Sequence, residues 1–203
     1  MLLQVIRPSP DSWLDLALSH HRATHYEDAC EALRKAYALI ESSGALYDAE
    51  IFTRLPLFLQ EWGRTAEGWS EFAALHIKSL PGRRPHDPPA QRWLDRATIC
   101  DKTRLFLQRD GQYDRAILYG IQFYVARCTA CFHQASLGQI GPMRSRRAIS
   151  SLLKPLLEKA GLQALEAILV NEVAGILRAV PDIDYRASMV RTAMLISMHR
   201  LKP

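Results

Sequence analysis

Between Asp11 and Leu39 the chain reads DSWLDLALSHHRATHYEDACEALRKAYAL, with apolar residues at the spacing of two short helices around a tight turn. Trp13, Leu16 and Ala17 fall on one face of the first helix. Ala29, Leu33 and Ala36 recur every three or four residues along the second. The turn lies around Ala23-Thr24-His25, and the small residues Ala17 and Ala29 allow two antiparallel helices to approach closely, with Trp13 and Tyr26 on the flanks. Cys30 falls on the apolar side of its helix, where a free thiol serves as a small hydrophobe. Asp11 or Ser12 is the expected cap of the first helix, and Ser42-Ser43-Gly44 the expected stop of the second.

Weaker versions of the same pattern follow. Leu46, Phe52, Leu55, Leu59 and Trp62 are helically spaced, and Pro56 within that run predicts a kink or a later start. Gly63 then occupies the turn, Gly68 the close-packing position, and Phe72 and Leu75 continue the apolar face. The segment SLPGRRPHDPPA, residues 79–90, carries four prolines and a glycine and breaks regular structure. Asp87 is the expected cap of the next helix, which should run to Arg109. Asp110-Gly111-Gln112-Tyr113-Asp114-Arg115-Ala116 supplies a third turn and helix entry, preceded by Cys100, Thr103 and Arg104 on the helix before it. Aligning the turns on Tyr26, Thr65 and Tyr113 gives spacings of 39 and 48 residues.

This pattern resembles the tetratricopeptide repeat. In that family an aromatic residue, Leu-small, Tyr-x-x-Ala, a large apolar residue and a final Ala take set places, at a period of about 34. Trp13, Leu16-Ala17, Tyr26-x-x-Ala29, Leu33 and Ala36 fill those places here, with His20 for a late aromatic and Thr24 for the turn glycine. The resemblance implies an all-α chain. Three divergent α-hairpins of a right-handed α-α superhelix would span residues 1–136, and a helical C-terminal cap or dimerisation segment residues 137–203.

It further implies a protein–protein interaction scaffold that holds a peptide or helix of a partner in a concave groove lined by its first helices, with no catalysis. In this register the first helix offers Asp11, Leu14, Leu18, His21 and Arg22. The second offers Glu50, Thr53, Leu57, Gln60 and Glu61, and the third Thr98, Asp101, Leu105, Gln108 and Arg109. Aliphatic anchors are mixed with both signs of charge, without the Lys- and Arg-rich clamp that chaperone-binding members use for peptide carboxylates. After Gly138 the resemblance ends. Arg144 to Arg147 open a basic helix, and LQALEAILVNEVAGIL and a final stripe of Ala187, Val190, Met194, Met198 and Leu201 are strongly apolar. This end either caps the stack or pairs with a second copy through residues 162–201.

A chain of 203 residues with 48% hydrophobic and 23% charged side chains is expected to be globular and to bury a substantial core. The opening apolar run stops at Arg7 and Pro8, too short for a secretory core, and no apolar run approaches the roughly 20 residues that span a bilayer. A cytoplasmic protein without membrane contact is the expectation, and four cysteines suit that compartment. The net charge of +5 and pI of about 9.2 allow a second class of function, a regulatory nucleic-acid-associated protein using its basic C-terminal half. Arg83-Arg84 and Arg144 to Arg147 are its candidate phosphate contacts, but no aromatic interleaving or reading module accompanies them.

No catalytic set emerges. Cys128-Thr-Ala-Cys131 lies late in a long helix, without the strand context of a redox pair; with His133 it offers three zinc ligands and no matching second pair. His21 and His25 are four apart, as in zinc proteases, but the intervening glutamate base is missing. Neither a phosphate-binding glycine loop nor a nucleophile elbow occurs. No metal and no cofactor are expected.

Overall fold

The structure, a computed structural model, describes residues 9–84, 86–136, 155, 156 and 158–160. Among them are seven α-helices and no strand: α1 Pro10–Arg22, α2 Tyr26–Ser43, α3 Ala49–Phe52, α4 Arg54–Glu61, α5 Thr65–Ile77, α6 Pro89–Arg109 and α7 Tyr113–Ser136. The protein is all-helical over this range. Met1–Pro85 and His86–Pro203 form two compact units. In the first, α1 packs on α2, α4 on α5, and α2 on α4; in the second, α6 packs on α7. No helix of the described residues is long and apolar enough to cross a membrane.

One device closes all three hairpins. At the end of α1, Thr24 takes a left-handed φ of 62°; its N–H bonds to the His21 carbonyl (3.0 Å) and the next N–H, of His25, to the His20 carbonyl (2.9 Å). After α4, Gly63 (φ 85°) bonds to Gln60 and Arg64 to Leu59; after α6, Gly111 (φ 74°) bonds to Gln108 and Gln112 to Leu107. This paired closure satisfies carbonyls that a helix end leaves without partners, and it requires one left-handed residue. Glycine adopts that conformation freely, whereas a β-branched threonine is strained in it. Tyr26, Thr65 and Tyr113 are the first residues of the helices that follow. One turn further on, Ala29, Gly68 and Ala116 are all buried, and their N–H groups bond to His25, Arg64 and Gln112. A small side chain there lets the paired helices meet. The tyrosine rings themselves have different neighbours, the imidazole of His21 for Tyr26 and the ammonium of Lys159, 5.0 Å away, for Tyr113.

The first unit's core gathers Leu14, Ala17, Ala29, Cys30, Leu33 and Ala36 from α1 and α2 with Leu55, Phe58 and Leu59 from α4. Leu16 faces away from it and is exposed, although Leu55 at the same place relative to its own turn is buried. The reason is that α4 has α2 beside it, while α1 has no earlier helix among the described residues. In the second unit Thr103 is buried, with its hydroxyl satisfied by the Ile99 carbonyl (2.8 Å), so a polar residue fits a position where leucine stood in the first.

The helix starts differ from those the sequence predicts. Ser9, not Asp11 or Ser12, caps α1: its hydroxyl oxygen accepts the Ser12 N–H (3.2 Å) and Pro10 is the first helical residue. Proline is pre-shaped for that place and loses no hydrogen bond there. Similarly, α6 starts at Pro89 with Pro88 before it, leaving Asp87 outside the cap. Gly44, with φ 64°, ends α2 where a left-handed cap was predicted. Of the two outcomes expected at Pro56, a kink or a later start, the later start is found: α4 begins at Arg54, separated from α3 at Thr53. As third residue of α4 it needs no N–H partner, but its ring would clash with the Phe52 carbonyl if the helix continued backwards. Apart from Leu156, which is buried, and its few described neighbours, the predicted C-terminal cap and self-association segment, 137–203, lies outside the described residues.

Candidate functional site

The positions predicted to line a groove stand at equivalent places before the three turns: Leu14, Thr53 and Asp101; Leu18, Leu57 and Leu105; His21, Gln60 and Gln108; Arg22, Glu61 and Arg109. Two of them are buried. Leu14 is only 5% exposed and belongs to the core, because it lies on the side of α1 that meets α2. Thr53 is fully buried at the break between α3 and α4, where its hydroxyl donates to the Glu50 carbonyl (2.8 Å). Neither offers a surface to a partner. The leucines behave differently, since Leu18, Leu57 and Leu105 are each half-buried, and Arg22, Glu50, Glu61 and Arg109 are exposed around them.

His21 and Glu61 meet. The His21 Nε2 lies 2.6 Å from a Glu61 carboxylate oxygen. Its ring stacks on Phe58 at 3.8 Å between centroids and 12° between planes, and forms a T-shaped pair with Tyr26 at 5.7 Å. One imidazole from α1 therefore joins the end of α4 to the start of α2. Both side chains keep about a quarter to a third of their surface exposed, at 26% and 31%, so water screens the pair and its own contribution is small, about 0–1 kcal/mol. Aromatic stacking adds roughly 0.5–1.5 kcal/mol of the same sense. In the second unit, Arg104 donates to Asp101 (2.8 and 3.0 Å) and to Gln108 (3.0 Å), linking two predicted positions along α6.

A shallow open pocket of about 340 Å³ lies elsewhere, lined by Thr24, His25, Tyr26, Glu27, Asp28 and Trp62. It contains none of the predicted groove positions. Beside it, His20, His25 and Asp28 bring one donor atom each within 4.8 Å of one another. His21, which the sequence paired with His25, points its tip at Glu61 instead.

The cysteines of known surroundings are not poised for chemistry. Cys30 and Cys100 are both fully buried and unpaired. Burial pushes the Cys30 thiol up, against the lowering influence of Arg34 and Arg64, and pushes Cys100 up to about 11. A thiol held protonated is a poor nucleophile. Cys128 and Cys131 fall on α7, with side chains outside the described residues, as are Arg144 to Arg147. Comparison with protein families, with curated proteins and with solved structures finds no match to this chain.

Proposed function

We propose that the chain is a divergent helical-repeat protein of the tetratricopeptide type, and that it serves as a scaffold holding a peptide or helix of another protein on the face of its first helices. The right-handed superhelix implied by the repeat pattern is part of this proposal, as is the absence of any reaction of its own. The observation that carries it is the recurrence of a half-exposed leucine, Leu18, Leu57 and Leu105, at one place before three identically closed turns. Charges of both signs surround these leucines, at Arg22, Glu50, Glu61 and Arg109. Apolar anchors rimmed by polar groups are how protein interfaces divide affinity from specificity.

The test is capture of a binding protein by the 203-residue chain, repeated with Leu57→Arg. A half-buried leucine can be replaced by arginine with its head in water, so helicity by circular dichroism should be unchanged. Capture should fall by roughly 30-fold or more, the effect of losing a central anchor worth about 2 kcal/mol. If the variant retains its partner at full strength, the first-helix face is not the binding surface.

A further inference from the structure

Beyond partner binding, the geometry points to a zinc-class divalent metal site at the first turn, formed by His20, His25 and Asp28. The backbone closure that ends α1 brings these residues together. The His25 N–H bonds to the His20 carbonyl at 2.9 Å, which folds the chain back so that their imidazoles lie 6.1 Å apart at 41°. Asp28 then follows in the first turn of α2, the favourable end of a helix for a carboxylate, with an oxygen 4.0 Å from the His20 Nδ1. Two imidazole nitrogens and one carboxylate oxygen are a zinc donor set, and three protein ligands leave a fourth position for water.

The three donor atoms lie within 4.8 Å of one another. Metal–ligand bonds of about 2.0–2.1 Å in a tetrahedron place donors about 3.4 Å apart. Closing that difference asks for side-chain rotations alone. His20 is half-buried and His25 and Asp28 are exposed, so nothing packed around the latter pair resists the movement. The neighbouring pocket shares His25 and Asp28 and leaves room for the remaining ligand.

The other two hairpins show why the first differs. At the places of His25 and Asp28 they carry Arg64 with Glu67 and Gln112 with Arg115, and each of these pairs is joined directly. Each contains its own arginine donor. In the first hairpin both places hold groups that accept a metal, and the place of His20 holds Leu59 and Leu107 in the others. A cation bridging the trio would do for this turn what an arginine does for its two counterparts.

The experiment uses the 203-residue chain stripped with chelator and titrated with zinc chloride by calorimetry, with cobalt(II) as a visible reporter. The expected result is one zinc per chain, weakened at least about tenfold by His25→Ala and by Asp28→Asn, since even a group that merely supports a ligand is worth that much. His86→Ala, at an exposed loop position, should bind as the unaltered protein does, and so should Cys128→Ser/Cys131→Ser. Cobalt should give tetrahedral visible bands without a sulfur charge-transfer band in the near ultraviolet. Zinc binding that survives His25→Ala and Asp28→Asn, binding lost with the two cysteines, a cobalt–sulfur band, or no binding by the unaltered chain would each overturn the assignment.

Discussion

Truncating Leu33 or Phe72 to alanine should cost the first unit about 2–5 and 3–5 kcal/mol, respectively. The two residues stand at the same place along α2 and α5, one turn beyond the buried Ala29 and Gly68, and both are fully buried. Leu33 lies in the cluster that joins α2 to Leu55, Phe58 and Leu59 of α4, so the void would open where one hairpin packs on the next. The other members of the cluster on α2 itself are three alanines and a cysteine, Ala29, Cys30, Ala32 and Ala36. Such short side chains have few rotamers with which to fill a hole, and the cost should fall toward the upper end of its range. Because a domain of ordinary stability has only about 5–15 kcal/mol in hand, either variant should leave the unit close to unfolding. Urea unfolding followed by circular dichroism reads this directly. A loss under about 1 kcal/mol for both would mean that neither side chain sits in a packed interior.

The second large effect is expected at Gly82, in the proline-rich segment. Its φ is 76°, and a Cβ built there would lie 2.5 Å from the Ala45 carbonyl oxygen and 3.1 Å from that of Gly44. Any side chain therefore meets a left-handed backbone, worth about 1–2 kcal/mol, together with a collision against main chain that cannot rotate aside. Arg83 fastens the next step, donating to the Tyr47 carbonyl at 2.9 Å, and the Tyr47 hydroxyl donates to Asp11 on α1, also at 2.9 Å. A segment that the sequence marks only as a break in regular structure thus fastens to the α2–α3 connection, whose Tyr47 in turn reaches the first helix. Gly82→Ala should destabilise the first unit by roughly 2–4 kcal/mol, strain and displaced backbone together. Ser79→Ala, at an exposed position of the same segment, should change stability by less than about 0.5 kcal/mol. Equal effects at the two positions would remove Gly82 from any close approach.

What could be read from the chain in advance was what local spacing encodes. Apolar periodicity located the helices, and Gly44, Gly63 and Gly111 marked ends that the structure closes with left-handed residues. Proline was harder to place, because the same residue opens a helix or breaks one according to its position in the first turn; Pro10 and Pro56 both do the former. Burial of individual face positions was illegible for another reason. The spacing that sets Leu14 and Leu18 on one face of α1 does not say how far around the helix the contact with α2 extends. Nor does any local signal announce that Phe58 will lie under the His21 ring, since that contact joins residues far apart in the chain. His21 and His25 are four apart in the sequence, the spacing of two ligands on one helix, but the expected turn already falls at His25. The turn reverses the chain between them, and His20 becomes the neighbour.

The repeat reading rests on three turns built alike, and substitution at the left-handed residue of each tests it most directly. Thr24→Gly should raise stability by about 0.5–1 kcal/mol, because it removes a strained β-branched residue at φ 62°. Gly63→Ala and Gly111→Ala, at φ 85° and 74° with open space around the added carbon, should each lower it by about 1 kcal/mol. Denaturant unfolding of the three variants gives the comparison. Opposite signs at Thr24 and the two glycines are the predicted result; alanine that is neutral or stabilising at 63 and 111 would contradict the shared turn and the repeat architecture with it.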